Sequence, residues 1–325
     1  MSASTAFISR LLAVLAGLAT VPAALAQEPF PAGRPIEFVV LFPAGSSADV
    51  TARVLAEGMG KRLGTQIVVV NRPGGGGAVG YRYAVSQAPD GHHLVWNSNS
   101  ISTTYHTGTL PFDYRSFVPV ARVQIETPFL FVRSNTAWKS VRDILQYAKA
   151  SPGKLTVGNS GFGSHTHLSS VWLFRAAGAQ ITDVPFSAAQ VVPSLLGGEV
   201  DAVVQLPSAL AGHVKTGAVR ALVALSATRD RSFPDVPTAK EAGLSAVAEL
   251  WRGVVVPKGT PQRIVAKLEG VIRDTVQDPG FARAAERLLV TPAFLPAAEF
   301  GRLVAREDAE IAKAVESMGL RKSPK

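Results

Sequence analysis

The 325-residue chain contains no cysteine. That absence excludes a disulfide framework, a Cys-ligated zinc or iron–sulfur site, a cysteine nucleophile and a lipid-anchored N-terminus. Charge is sparse, at 18% of residues against 47% hydrophobic, and this balance excludes disorder. No apolar run is long enough to span a bilayer, which needs about 20 residues, so a multispan membrane protein is excluded as well. An internal repeat, a low-complexity tract, a long linker and a twin-arginine pair are also missing. Lysine plus arginine total 33 against 24 acidic residues, a formal +9. Such an excess suits anions or nucleic acid without choosing between them. No basic run with interleaved aromatics appears, so no nucleic-acid partner is expected.

What is present begins with a targeting segment. Arg10 is the single charge in the first 26 residues, followed by an apolar run over 11–21 and the small-x-small triplet Ala24-Leu25-Ala26. This reads as a signal peptide over residues 1–26, with a membrane anchor or a buried first helix as the plainer alternative. The mature chain then starts at Gln27 and carries +8, with 32 basic and 24 acidic residues. The expected location is the periplasm.

The remainder alternates strands and helices. Residues 36–42 read as a buried strand and Asp49 as the N-cap of a helix through Leu63. Strands follow at 67–70, 93–96, 129–132, 155–158, 201–204, 221–225 and 253–256. Helices fit 80–88, 141–150, 165–176, 188–196, 261–274, 280–288 and 297–318. Repeated β-α units imply an α/β fold of doubly wound parallel sheets covered on both faces. At about 150 residues per domain, two domains are expected.

Several chemical motifs fail on inspection. Gly75-Gly76-Gly77-Ala78-Val79-Gly80 matches G-x-G-x-x-G between a strand and a helix. The acidic residue that would hold a ribose about 20 positions on is missing, so the plain reading is a glycine-rich turn. His165 and His167 stand two apart and do not share a helix face, and His92 and His93 face opposite ways on a strand. Gly158-Asn159-Ser160-Gly161 misses the nucleophile-elbow glycine by one position. No catalytic residue, metal or cofactor is expected.

Two loops survive. Phe42-Pro43-Ala44-Gly45-Ser46-Ser47-Ala48-Asp49 and Gly158-Asn159-Ser160-Gly161-Phe162-Gly163-Ser164-His165 each join a strand to a helix. Small residues, hydroxyls and a helix N-terminus together present unpaired N–H groups and a positive dipole end to an anion. Either loop alone reads equally as ordinary capping. Two of them at C-terminal strand ends point to an anion site, since open α/β sheets bind ligands there. Both lack lysine and arginine, so neutral donors are expected to hold the anion.

In these residues the chain resembles the Bug receptors, extracytoplasmic solute-binding proteins of tripartite tricarboxylate transporters. The resemblance runs in order from Pro35-Ile36 through Pro43-Ala44-Gly45, Asp49, Asn71-Arg72-Pro73-Gly74 and Ala88-Pro89-Asp90-Gly91. It continues through Gly161-x-Gly163-Ser164-x-x-His167-Leu168, Leu195-Leu196-Gly197-Gly198-x-Val200-Asp201 and Phe233-Pro234-Asp235-Val236-Pro237-Thr238 to Trp251-x-Gly253 and Pro257-x-Gly259-Thr260-Pro261. It implies a two-lobed periplasmic-binding-protein fold with a hinge of crossing strands, and no catalysis. Lobe 1 would comprise 27–123 and 228–325, and lobe 2 would be 124–227. The implied ligand is a small organic carboxylate, the implied partners are membrane transporter subunits, and the receptor is expected to be monomeric and to close on its ligand.

Carried over position by position, the resemblance implies ligand contacts at Ala44, Gly45, Ser46, Ser47, Asp49, Ser160, Gly163, Ser164 and His167. Phe42, Phe162 and Trp251 offer an apolar wall or simply core. Departures stand at Ala48, which lacks the family's hydroxyl, at Ser46, where glycine is common, and at Ser187-Ala188 in place of Lys-Gly. A fourth is Gln205, where many members have aspartate. If Gln205 faces the ligand, it removes the charge that a ligand ammonium needs, favouring a carboxylate without an α-ammonium. A sensor for a membrane kinase and a nucleotide-dependent α/β enzyme are the alternatives.

Overall fold

The computed structural model describes residues 30–320. The signal peptide expected over 1–26, and its junction at Gln27, lie outside the described residues. In chain order, the first lobe opens with β1 (Ile36–Val40), α1 (Ser47–Leu63), β2 (Ile67–Asn71), α2 (Ala78–Val85), β3 (His93–Ser98), α3 (Ser100–His106) and β4 (Phe117–Glu126). A second group follows: β5 (Phe129–Arg133), α4 (Val141–Ala150), β6 (Thr156–Asn159), α5 (His165–Ala176), β7 (Thr182–Pro185), α6 (Val191–Gly197), β8 (Ala202–Gln205), α7 (Ala211–Lys215) and β9 (Val219–Ala224). The chain then returns with β10 (Leu250–Pro257), α8 (Gln262–Val276), α9 (Pro279–Arg287), β11 (Thr291–Pro296) and α10 (Ala297–Ser317).

Two sheets result, ordered β11-β4-β10-β3-β1-β2 and β7-β6-β8-β5-β9. Each has its own core. In the first, Phe38, Val40, Leu55, Met59, Leu268 and Ile272 are buried together between β1, α1 and α8. In the second, Leu130, Val157, Leu173, Phe174 and Val204 do the same. Each large apolar side chain so buried contributes about 1.5–3 kcal/mol, which is what holds the helices down on the sheets.

The sheets are mixed, not parallel as expected. β1 runs parallel to β2 and β3, but β10 is antiparallel to β3 and β4, and β5 is antiparallel to β8 and β9. The parallel neighbours β1–β2 and β6–β7 are joined by single crossover helices, α1 and α5, whereas the antiparallel pairs β4–β10 and β5–β9 are made by the strands that flank the passages between the two sheets. Strands β4, β7 and β11 and helices α3 and α7 went unpredicted. In β4, Pro119 and Arg122 interrupt the apolar run that marks a buried strand.

The chain passes between sheets twice. Thr127 and Pro128 join β4 to β5, and residues 225–249 join β9 to β10. The expected divisions at 123/124 and 227/228 therefore do not match the changeovers. β4 stays in the first sheet through Glu126. Thr238 bridges Ala224, while Ala239, Leu244, Ala246 and Ala248 pack into the second core, so burial ties 228–248 to the second sheet. Among the described residues no helix is long and apolar enough to cross a membrane.

Candidate ligand-binding site

The turn after β1 passes Gly45, whose φ of 79° is the left-handed conformation that glycine adopts freely. The N-cap of α1 is Ser46, whose hydroxyl accepts from the Asp49 N–H at 3.3 Å and donates to the Pro43 carbonyl at 2.6 Å. Asp49, expected as the cap, lies within the first turn instead. Its longer carboxylate reaches back to accept from the Gly45 N–H at 3.0 Å and from Asn71 Nδ2 at 3.0 Å, and it pairs with Arg53 at 2.8 Å. Burial works against the Asp49 charge, yet Arg53, the Gly45 amide and Asn71 together hold its carboxyl below the usual range. Asp49 braces the loop from behind.

The second loop repeats this plan. Ser164 caps α5 and accepts from the His167 N–H at 3.2 Å, while Thr166 Oγ1 accepts from the Ser160 N–H at 3.0 Å. His167 Nδ1 accepts from the Gly163 N–H at 3.3 Å, which leaves the ring proton on Nε2. That nitrogen lies 3.0 Å from Asp183 Oδ2, off the line of a hydrogen bond, since this oxygen accepts none. His167 is thus a brace like Asp49.

The loops meet across the lobes. Thr103 Oγ1 in α3 donates to the Gly163 carbonyl at 2.7 Å. Gly76, at φ 66°, sits so close that a Cβ there would lie 3.1 Å from the Phe162 carbonyl oxygen and 3.2 Å from the Ser164 nitrogen. Gly76 of the glycine-rich turn is therefore a surface on which the second loop rests, while at Gly80 a Cβ would lie 2.8 Å from Leu41 and 3.0 Å from the Arg72 carbonyl, so close packing of α2 accounts for that glycine.

Between the loops lies a cavity of about 380 Å³ of empty space, including its mouth. Phe42, Ser46, Ser47 and Ala48 line it from the first lobe, and Ser160, Ser164, Thr166 and Gln205 from the second. A wider cleft outside it is walled by Phe42, the glycine turn, Phe162 and Phe186. Of the expected contacts, Ala44, Gly45, Asp49, Gly163 and His167 do not line the cavity: Ala44 and Gly45 are exposed, and Asp49, Gly163 and His167 are buried away from it. Trp251 is core, edge-on to Phe300 at 4.9 Å.

The wall is built of donors. At a helix start the first backbone N–H groups have no intrahelical acceptor. Those of Ser47 and Ala48 in α1, and of His165 and Thr166 in α5, take no protein acceptor among the described residues, and all four residues line the cavity. Gln205 Nε2 donates to Ser160 Oγ at 3.0 Å while its Oε1 accepts from the Leu206 N–H at 2.8 Å, so this amide presents N–H to the cavity. Burial pulls the His165 imidazole down to about 4, leaving it neutral. No Asp or Glu lines the cavity.

One full positive charge does, against the expectation of neutral donors alone. Arg252 in β10 is 3% exposed; its Nε lies 3.4 Å from Glu126 Oε2, and its Nη2 donates to Ser47 Oγ at 3.2 Å. Glu126 also accepts from Ser47 Oγ at 2.8 Å, from Gln124 Nε2 at 3.4 Å and from Ser208 Oγ of the second lobe. Burial draws the guanidinium below its ordinary range and Glu126 pulls it back up. Arg252 was missed because it comes from a strand, not a loop. Its signal was a lone charge inside an otherwise apolar strand, LWRGVVVP. Among the described residues, no group of three or more His, Asp or Glu could hold a metal ion.

Comparison with known proteins agrees with this geometry. Residues 51–320 match the family described as tripartite tricarboxylate transporter family receptor. BugT of Bordetella pertussis is 33% identical over 294 residues, covering 88% of this chain and 90% of BugT. MatC from Rhodopseudomonas palustris, solved with bound malate, is similar with a TM-score of 0.81 at 28% identity, over 88% of this chain and all of that one. A TctC solute-binding protein from Polaromonas without ligand is 30% identical with a TM-score of 0.67, over 89% of this chain and all of that one. These proteins are solute-binding receptors and not enzymes. An α/β architecture of two lobes, two capped helices aimed into one cavity, and a family match over most of its length make this chain a member of the periplasmic solute-binding receptors of the tripartite tricarboxylate transporter family.

Proposed function

We propose that this receptor captures a small organic carboxylate lacking an α-ammonium group and delivers it, as a monomer, to the membrane subunits of a tripartite transporter. The carrying observation is the cavity wall: four unpartnered N–H groups from two helix starts, with hydroxyl and amide donors, and no carboxylate. Such a wall stabilises an anion and gives an ammonium no counter-charge. The malate in MatC supports a carboxylate, and the family description supports the transporter. Delivery follows export by the leader over 1–26, and the lobes close about the two inter-sheet connections.

A thermal-shift screen of carboxylates, amino acids and nicotinamide dinucleotides tests this. A ligand at 100 times its Kd adds about 2.7 kcal/mol, several degrees of Tm. Carboxylates should raise Tm more than the amino acids of equal length. A shift with dinucleotides alone, or amino acids consistently ahead, contradicts the proposal.

A further inference from the structure

The Arg252–Glu126 pair has a cost that its stability does not repay. Taking two charges out of water loses several kcal/mol per ion, and apolar replacements of such pairs are often neutral or better. Both side chains are nearly inaccessible, at 3% and 0%. Glu126 is well served, with two hydroxyls and an amide besides the guanidinium. Arg252 is less so. Nε and Nη2 face Glu126 and Ser47, while Nη1 has no protein acceptor among the described residues, and the residue lines the cavity. A guanidinium holds five N–H donors in a rigid fork suited to a carboxylate.

The cavity therefore has two different ends. On the first lobe, Arg252 stands beside Ser47, at the start of α1, joining a full charge to a helix dipole. On the second, the start of α5, Ser160 and the Gln205 amide offer neutral donors. We propose, resting on the carboxylate reading above, that Arg252 is the specificity-determining residue of this receptor. It pairs with a second anionic group of the ligand, so that the cavity selects a dianion spanning both lobes over a monoanion of the same length. Glu126 is the positioning residue that fixes the fork, and through Ser208 it ties that fork to the second lobe.

Calorimetric titration of the intact protein with succinate and butanoate, glutarate and pentanoate, and adipate and hexanoate tests the assignment. A hydrogen bond to a charged group contributes about 1.5–3 kcal/mol, so the best dicarboxylate should bind about 10–100-fold tighter than its monocarboxylate partner. That ratio should fall at least about tenfold in the double variant Glu126→Gln/Arg252→Met, which removes both charges and strands neither. Arg252→Lys keeps a charge without the fork, retains the fold if the double variant loses it, and should lower the ratio as well. Equal affinity within each pair in the wild type, or a ratio unchanged in the variants, overturns the role of Arg252 and leaves the carboxylate reading standing. No binding by any of the six acids overturns both.

Discussion

Ser164 serves the fold and the ligand with one hydroxyl. It caps α5 through the His167 N–H and lines the cavity. Ser164→Ala should cost about 1 kcal/mol of stability, the usual loss of a serine cap, read by urea unfolding. It should also weaken carboxylate binding by about 1–3 kcal/mol, read by calorimetry. Unchanged affinity would remove Ser164 from the ligand's contacts. This residue was legible in sequence because capping is local: a serine, then a helical pattern. Asp49 was misplaced for the same reason, since Ser46 and Asp49 both suit a helix start and only side-chain reach separates them. Arg252 was not legible at all as a partner of Glu126 or Ser47. The three are brought together over 126 and 205 positions by sheet pairing, which no local pattern records.

At the scale of elements, α10 is pinned to the first sheet by a carboxyl. Glu307 Oε2 accepts from Asn99 Nδ2 and from Trp251 Nε1, each at 2.6 Å, joining the helix to β10 and the start of α3. Burial pushes the Glu307 carboxyl up to about 7 from 4.5, against the opposing pull of Trp251. The folded state then holds a proton that the unfolded state releases, so this contribution is full below pH 4.5 and is lost as pH rises toward 7. His165, pulled down to about 4 from 6.5, acts in the opposite sense: its contribution is lost as pH falls through that window. The two oppose each other over most of this window, so Glu307→Gln should leave the His165 contribution unopposed and make stability rise more steeply with pH between about pH 5 and 6.5 than in the wild type. Urea melts across pH measure it, and an unaltered profile would show that Glu307 does not titrate there. Strands dominated by apolar residues, such as β1, and helices with a buried stripe, such as α1, were legible from their patterns. Strand direction was not, because pleated runs such as β10 look alike whichever way they enter a sheet.

For the whole molecule, the two connections between sheets permit one lobe to move against the other, and the described form is shut. Gly76 rests on the second loop, Thr103 reaches Gly163, and Glu126 gathers hydroxyls from both lobes. A ligand touching both lobes stabilises closure only through contacts absent from the open state. Small-angle scattering, with the carboxylate that most raises Tm and with its uncharged amide, tests capture and closure together. The carboxylate should reduce the radius of gyration at saturation and the amide should not. An unchanged radius with the carboxylate, or an equal decrease with the amide, would contradict the account.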